Sequence, residues 1–194
     1  MSLGTANAPD RGDPREQHWI ALAAQGNEDA FASLVRAYQD RLYGVALRLM
    51  GNPSDAQDAV QEAFLQAWQH LAGFRGDSQF STWVTRILIN RCHNLLRTRR
   101  LAAPLPDDTD TGPADGLPQV PAAEDLAVRA LRRDAVRRAV LSLPFDQRAP
   151  LVLTAFAGYT HAETGRILGV SETAAKVRAH RGRKALLTRL QEWR

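Results

Sequence analysis

The sequence predicts an all-α fold of two small helical domains, a three- or four-helix bundle and a helix-turn-helix domain, joined by a flexible linker. Two observations support this fold class. Apolar residues recur every three or four positions along most of the chain, as they do on the buried face of an amphipathic helix. Between the helical stretches, residues 101–123 contain five prolines and lack apolar periodicity. The 194 residues suffice for two domains of this size.

The first domain is predicted to span residues 16–100, after a disordered tail of residues 1–15. The tail lacks an apolar core and therefore is not expected to be a secretory signal. Asn27 is predicted to cap the first long helix, which ends at Gly51. The buried stripe of this helix is predicted to comprise Phe31, Leu34, Val35, Tyr38, Leu42, Val45 and Leu49.

Two further long helices, with a short one near Trp19, complete the predicted bundle. Ser54 is expected to cap the second long helix, and the third runs from about Ser78 to Arg99. The third helix has a predicted inner face of Phe80, Val84, Ile87, Leu88 and Leu95. The connection between them carries Phe74 and Trp83 around a glycine-containing turn, where water would reach both rings. Because helix connections are normally short and polar, forming the turn does not explain why Phe74 and Trp83 are aromatic, and another role is expected for them.

The charge distribution points to a polyanionic partner for the C-terminal third. The net charge is +1 over residues 1–100, −4 over residues 101–123 and +7 over residues 124–194. Residues 101–123 are therefore predicted to be an acidic, flexible linker. No apolar run approaches the roughly 18 residues that span a bilayer. Nucleic acid is the expected partner, without membrane insertion, in a cytoplasmic protein.

The second domain is predicted to span residues 124–194. Its first helix extends from Glu124 to about Leu141. The inner residues of this helix are predicted to be Leu126, Leu131, Val136 and Val140. Asp146 is predicted to cap the next helix, which runs to Ala157 and places Pro150 in its first turn or just beyond.

A helix-turn-helix is predicted after residue 159. Thr160 and Glu163 form a capping box, Gly169 makes the turn and Ser171 caps a longer second helix. Its inward seam is Ala175, Ala179, Gly182 and Leu186, and its outer face holds Lys176, Arg178, His180, Arg181, Arg183 and Lys184. A helix that is basic outside and small inside suits a DNA major groove. The alternative is a solvated surface helix.

The sequence predicts no enzyme and no metal or other cofactor. Cys92 is the only cysteine, which excludes an intramolecular disulfide and a cysteine metal cluster, and we expect it to be buried. His161 and Glu163 form H-x-E, but a zinc deaminase also requires a later C-x-x-C. No nucleophile–base pair, phosphate-binding loop or dinucleotide fingerprint is present.

Three acids on the second long helix, Asp55, Asp58 and Glu62, lie on nearly one face. They admit three interpretations: metal ligands, acids that stabilise the N-terminal turns of a helix, or a docking face for a protein partner.

The order of the segments along the chain is typical of a known family. The chain has a three-helix bundle, then FRGDSQFSTWVTRILIN, the acidic linker, LPFDQRAPLVLTAFAGYTHAETGRILGVS and a basic helix. In this order the chain resembles the extracytoplasmic-function (ECF, group IV) sigma factors of the sigma-70 family over about residues 16–100 and 124–190. The resemblance implies that the first, sigma2-like domain docks on the clamp helices of RNA polymerase and recognises and opens the −10 element. The second, sigma4-like domain would recognise the −35 element and contact the polymerase flap.

The resemblance also implies site residues for the −10 element. The loop 74–79 would hold a flipped base of the non-template strand, with Phe74 as a wall, Arg75 on a phosphate and Asn90 on a base edge. The implied set is Phe74, Arg75, Asp77, Ser78, Trp83, Arg86, Asn90, His93 and Arg97. Two alternatives stay open: Phe74 as a hydrophobic plug of the bundle, and Trp83 as a core residue.

For the −35 element, the implied set is Ser171, Thr173, Lys176, Val177, Arg178, His180, Arg181, Arg183 and Lys184. Lys176, Val177, His180 and Arg181 are expected to face bases, and Arg178, Arg183 and Lys184 to meet phosphates. Compared with the family pattern, Ala174, Ala175, Val177 and Ala179 depart in side-chain size or polarity. Asp58, Gln61 and Glu62 would contact core polymerase.

The leading hypothesis is thus a promoter-specificity subunit of RNA polymerase, held in check by an anti-sigma factor. A free-standing helix-turn-helix regulator of duplex DNA is the alternative. That class usually dimerises, yet the sequence has no spare apolar helix for a dimer, and the regulator hypothesis leaves the FRGDSQF stretch unexplained.

Overall fold

The computed structural model describes residues 14–102 and 123–191, with side chains over residues 14–99 and 130–191. Within these ranges the chain forms eight α-helices and no strand. The helices are α1 Pro14–Ala23, α2 Glu28–Met50, α3 Pro53–His70, α4 Phe80–Ala102, α5 Ala123–Leu141, α6 Phe145–Ala155, α7 His161–Leu168 and α8 Glu172–Arg189. We call α1–α4 the first region and α5–α8 the second region. This all-helical fold in two regions confirms the predicted fold class.

The predicted tail and linker lie mostly outside the described residues, which exclude residues 1–13 and 103–122. α1 begins at Pro14, inside the predicted tail, since proline is well tolerated in the first turn of a helix. α4 ends at Ala102 and α5 begins at Ala123, so the helices take a few residues at each end of the predicted linker. Leucine and alanine favour helix at these ends.

The core of the first region is the stripe predicted on α2. Leu34, Tyr38, Leu42, Val45 and Leu49 are all buried, and they pack against α1, α3 and α4. The Asn27 side chain caps α2 by accepting a hydrogen bond from the N–H of Ala30 at 2.8 Å, as predicted.

Two caps differ from the prediction. Asn52, not Ser54, caps α3: its Oδ1 accepts from the N–H of Ser54 at 2.9 Å, and Pro53 takes the first helical position. At α6, the N-cap is Pro144 and Asp146 lies in the first turn, where its charge still suits the helix dipole. α6 ends at Ala155 rather than Ala157, ahead of the left-handed Gly158.

α4 is buried on more than its predicted inner face. Phe80, Val84 and Leu88 are buried as predicted, and Ile87 and Leu95 are half-buried. A second set of buried residues comprises Ser81, Thr82, Thr85, Ile89 and Cys92. α7 of the second region packs against α4, which accounts for burial on this extra side. Burial also raises the pKa of the Cys92 thiol to about 12.

α5 corrects one predicted core residue. Leu131 is 57% exposed, whereas Ala135, Ala139 and Val140 are buried and Val136 is half-buried. α5 contacts α2 and α8 along one narrow side, which small alanines fit better than a leucine. The side chain of Leu126 lies outside the described residues.

The helix-turn-helix of α7 and α8 has the predicted geometry. Thr160 and Glu163 form a complete capping box, and Ser171 caps α8 by accepting from the N–H of Ala174 at 3.2 Å. Gly169 ends α7 with a φ of 67°, a left-handed conformation that favours glycine. A Cβ at Gly165 would lie 2.8 Å from the carbonyl oxygen of Val170, so α7 and the turn approach each other closely only because this residue is glycine.

Candidate nucleic-acid interface

Four aromatic rings, Tyr38, Phe74, Phe80 and Trp83, form a cluster that extends from the core of the first region to the loop 74–79. Phe80 is buried, and its ring centroid lies 5.4 Å from that of Tyr38 and 5.7 Å from that of Trp83. The ring of Phe74 lies 5.1 Å from Trp83 and 6.1 Å from Phe80. Phe74 and Trp83 are half-buried, so both rings close the bundle and also present accessible aromatic surface beside the loop.

The loop beside the aromatic cluster is short and anchored at both ends. The N–H of Phe74 donates to the carbonyl of Leu71 at 3.0 Å, and the N–H of Trp83 donates to the carbonyl of Gln79 at 3.1 Å. Between these anchors, Arg75 and Asp77 are exposed and Ser78 is half-buried. The loop therefore presents a cation and an anion next to accessible aromatic rings.

The polar face of α4, which we call the α4 face, comprises Arg86, Asn90, His93 and Arg97. All four side chains are exposed and follow one another at the helical spacings of four, three and four. The ring of His93 lies 4.9 Å from that of Phe145 in the second region. The α4 face begins at the aromatic cluster, so a single strand could follow it away from the loop.

The outer side of α8, which we call the α8 face, is almost fully open. Eight of its nine predicted residues are exposed, and Arg178 is half-buried. Ala175, Ala179 and Gly182 are buried, and Leu186 is half-buried, as the predicted seam requires. Val177 is 42% exposed in the middle of this face, an apolar side chain among cations.

The acids of α3 do not form one uniform face. Asp55 is ion-paired with Arg99, and Glu62 with Arg91, so both are engaged with α4. Asp58 and Gln61 are exposed. Over the residues with described side chains, no group of His, Cys, Asp or Glu is arranged to hold a metal ion.

Leu65 is a surface residue that sequence reasoning missed. It is 57% exposed and lies one turn after Gln61 and two turns after Asp58 on the same side of α3. The sequence analysis assigned it no role, and the packing of α3 leaves it exposed.

A groove of about 620 Å³ separates the loop 74–79 from the helix-turn-helix. One wall carries Asp77, Ser78, Trp83 and Arg86, from the predicted −10 set. The other wall comes from α7, the turn and the start of α8, and includes Arg166 and Glu172. The structure thus places four residues of the predicted −10 set opposite the second region, whereas Ser171 is the one residue of the predicted −35 set that lines this groove.

Two family models match the chain, one in each region. Sigma-70 region 2 matches residues 34–101, and Sigma-70, region 4 matches residues 133–186. The ECF RNA polymerase sigma factor SigW of Bacillus subtilis strain 168 is 32% identical over 183 residues, which are 89% of this chain and 95% of SigW. The chain belongs to the ECF RNA polymerase sigma factors. Such proteins regulate transcription rather than catalyse a reaction of their own.

Solved structures agree with this sigma factor assignment. CnrH, in complex with the cytosolic domain of CnrY, matches with a TM-score of 0.70 and 28% identity over 92% of this chain and 99% of CnrH. The sigma factor RpoE of Bartonella quintana, in complex with the anti-sigma factor NepR, matches in fold with a TM-score of 0.62 at 23% identity, over 83% of this chain and 96% of RpoE. In the part of this sigma factor that is described, no helix is long and apolar enough to cross a membrane.

Proposed function

We propose that this ECF sigma factor directs core RNA polymerase to its promoters by recognising the −35 element with the second region and recognising and opening the −10 element with the first. One observation carries the proposal: the chain has two exposed surfaces of different character, the basic α8 face and the aromatic cluster beside the loop 74–79. The α8 face is shaped for a duplex groove, and the aromatic cluster beside an exposed loop is shaped for an unstacked base. A regulator of duplex DNA alone has no use for the second surface.

Strand opening requires a place for a base that has left the stack. A base stacked on an aromatic side chain gains about 1–3 kcal/mol, enough to favour the extruded state at one position. In this proposal Phe74 stacks on the base, Asp77 and Ser78 bind its edge and Arg75 neutralises a phosphate. The strand then follows the α4 face, where the amide of Asn90 reads a second base edge.

The α8 face divides into base and phosphate contacts by position on the helix. Val177, His180 and Arg181 lie opposite the buried seam and point away from the domain, and Lys176 is the fourth proposed base contact. Lys184 lies one turn beyond His180 and Arg181 on the same side, and Arg178 and Arg183 lie nearer the seam. In this proposal these three residues bind phosphates, with Ser171 and Thr173 at the N-terminal end of α8. Val177 offers its methyl groups to the C5-methyl of a thymine, an apolar contact that no other natural DNA base provides.

Docking on core polymerase is assigned to α3. Asp58 and Gln61 supply exposed polar contacts, and Leu65 adds an exposed apolar side chain that docking would remove from water. Glu62 belongs to the same site, at the edge where it pairs with Arg91. We expect Leu65→Ala to weaken binding to core polymerase severalfold, whereas Leu187→Ala, which removes a similarly exposed leucine on α8, leaves it unchanged.

The proposed partners follow from this division of labour: core polymerase at its clamp helices and flap, promoter DNA, and an anti-sigma factor. The structural match to RpoE in complex with NepR supports an inhibitor of that kind. The protein would act in the cytoplasm, where polymerase and promoter meet.

Run-off transcription with purified core polymerase and a promoter library tests the proposal. Wild-type protein is expected to yield transcripts from specific promoters, and Phe74→Ala is expected to bind core polymerase normally but initiate poorly. Duplex binding without core binding or transcripts would leave a helix-turn-helix protein that is not an active sigma factor.

A further inference from the structure

The docking side proposed on α3 carries only acidic and neutral side chains. Asp58 and Glu62 lie one turn apart on it, and the sequence of α3 contains no lysine or arginine. Two carboxylates at this spacing repel each other, and no lysine or arginine of their own helix offsets the repulsion. A cation that orients these acids therefore has to come from another helix.

Arg91 of α4 supplies that cation. Its Nε forms an ion pair with Oε2 of Glu62, and this nitrogen is shielded from water. Arg91 follows Asn90 in the sequence and is therefore turned about 100° around the helix from it, outside the α4 face. Its charge serves the contact of α4 with α3 and not the surface proposed for the −10 strand.

The ion pair leaves part of the Glu62 carboxylate available. The Glu62 side chain is 42% exposed, against 28% for Arg91, and within the described residues Glu62 has no second partner. An ionised carboxylate accepts hydrogen bonds on both of its oxygens. With Oε2 held by Arg91, Oε1 remains for a cation of a docking partner.

Glu62 is expected to keep its contact with Arg91 when it binds a partner. If Glu62 turned away, the shielded Nε of Arg91 would lose its acceptor, and a buried donor without an acceptor is costly. The side chain of Glu62 is thus held in place before docking. Because immobilising a long side chain is one of the costs of association, a side chain that is already held binds more tightly.

We propose that Arg91 is a positioning residue for docking on core polymerase. It holds the carboxylate of Glu62 toward a basic group of the polymerase and does not contact the polymerase itself. The inference rests on the proposed docking of core polymerase on α3. Arg91 also repels that basic group, but solvent weakens the repulsion between two cations that the carboxylate separates.

The test measures the affinity of the full chain for core polymerase in a double-mutant cycle. Arg91→Met removes the guanidinium and keeps the apolar stem of the side chain. It is expected to weaken core binding about fivefold, because docking then has to immobilise Glu62. In the Glu62→Gln background it should have no further effect. An equal loss in both backgrounds would overturn the inference, since Arg91 would then not act through Glu62.

Arg99→Met is the matched control, because Arg99 joins the same two helices through its ion pair with Asp55. Neither residue belongs to the proposed docking set, so this variant is expected to bind core polymerase as the wild type does. Equal weakening by Arg91→Met and Arg99→Met would overturn the inference, because general anchoring of α4 on α3 would then explain both. Should Arg91→Met fold poorly, Arg91→Ala repeats the cycle with a residue that favours helix.

Run-off transcription separates a positioning role from a structural defect. Arg91→Met should raise the concentration of this protein that gives half-maximal transcription about fivefold. The maximal yield should stay unchanged, because molecules that have docked keep their surfaces for DNA. A lower maximal yield would mean that the substitution disturbs α4 itself, and it would overturn the inference.

The same titrations distinguish failure of the inference from failure of the proposed docking. If Asp58→Asn and Leu65→Ala weaken core binding but Arg91→Met does not, the positioning role is wrong and docking on α3 stands. If no substitution on α3 weakens core binding, Glu62→Gln included, docking on α3 is wrong and the positioning role is overturned with it. Tighter core binding by Arg91→Met would also overturn it, since Arg91 would then compete with the polymerase for Glu62.

Discussion

The two surfaces proposed for DNA differ in how much of the molecule is needed to build them. The α8 face belongs to one helix, whose inner side is a seam of small buried residues and whose outer side is open. The aromatic cluster draws rings from α2, from α4 and from the loop between α3 and α4, and the second region forms the other wall of the groove beside it. The surface proposed for duplex is thus a local property of the sequence, whereas the surface proposed for the opened strand is a product of tertiary packing.

Both surfaces have exposed side chains in this structure, although Phe145 of the second region lies near His93 on the α4 face. A substitution that weakens the binding of one DNA ligand only would support two separate surfaces. A substitution that weakens the binding of both ligands equally would contradict this separation.

The largest effect is expected where α8 rests on the backbone of α6. A Cβ at Gly182 would lie 2.9 Å from the carbonyl oxygen of Gln147, and the backbone cannot yield easily. We expect Gly182→Ala to lower the free energy of unfolding by about 1–3 kcal/mol through overpacking. Urea denaturation of the variant measures this loss.

The control for this variant is Gly73→Ala in the connection between α3 and α4, where a Cβ would meet no atom within 4 Å. Its stability should equal that of the wild type or rise slightly. An equal loss in both variants would show that α8 is not supported by this close approach.

A smaller, selective effect is expected from one residue on each surface. Val177→Ala should cost roughly 1–2 kcal/mol in binding a duplex −35 fragment, because two methyl groups lose their contact. Replacing the contacted thymine by uracil, which lacks the methyl, should weaken the wild type but not the variant. Fluorescence anisotropy with both duplexes tests this.

Asn90→Ala is the counterpart on the α4 face. It should weaken binding of single-stranded −10 DNA to the holoenzyme by about 1 kcal/mol, as loss of one hydrogen bond does, and leave the −35 duplex unaffected. If either variant weakened the binding of both DNA ligands equally, the two surfaces would not act separately.

Lys184→Gln should instead reduce the salt dependence of duplex binding, because it loses a phosphate contact.

The smallest effect is expected for the ion pair between Arg99 and Asp55, which lies at the surface of the first region. The Arg99 side chain is 60% exposed, so solvent screens the pair. Arg99→Ala should change the free energy of unfolding by less than about 1 kcal/mol. A larger loss by thermal denaturation would mean that this pair fixes the position of α4.

The features that were predicted correctly from the sequence are those that depend on neighbouring residues in the chain. Capping residues act over three or four positions, so Asn27, the Thr160–Glu163 box, Gly169 and Ser171 were all correct from the sequence. The exposed α8 face followed from a helical repeat. Two caps were predicted two residues too late: the cap of α3 is Asn52 rather than Ser54, because Pro53 takes the first helical position, and the cap of α6 is Pro144 rather than Asp146.

Packing between regions was beyond sequence reasoning. Thr85 and Ser81 are polar and gave no sign of burial, and they are buried because Tyr159 satisfies them from 74 and 78 residues away. Leu131 was predicted to be a core residue, yet it is 57% exposed, and Leu65, for which no role was predicted, is equally exposed. Periodicity identifies the apolar side of a helix but not which neighbour covers it.

The measurement that tests the account most directly is promoter binding by the holoenzyme containing Phe74→Leu. Leucine still plugs the bundle against Phe80 and Trp83 but cannot stack on a base. We predict that affinity for a promoter fragment with a pre-opened −10 element falls about tenfold or more, within the 1–3 kcal/mol of base stacking, while affinity for a −35 duplex is unchanged. Equal affinity of wild type and variant for the opened fragment would contradict the account and leave Phe74 as a structural plug.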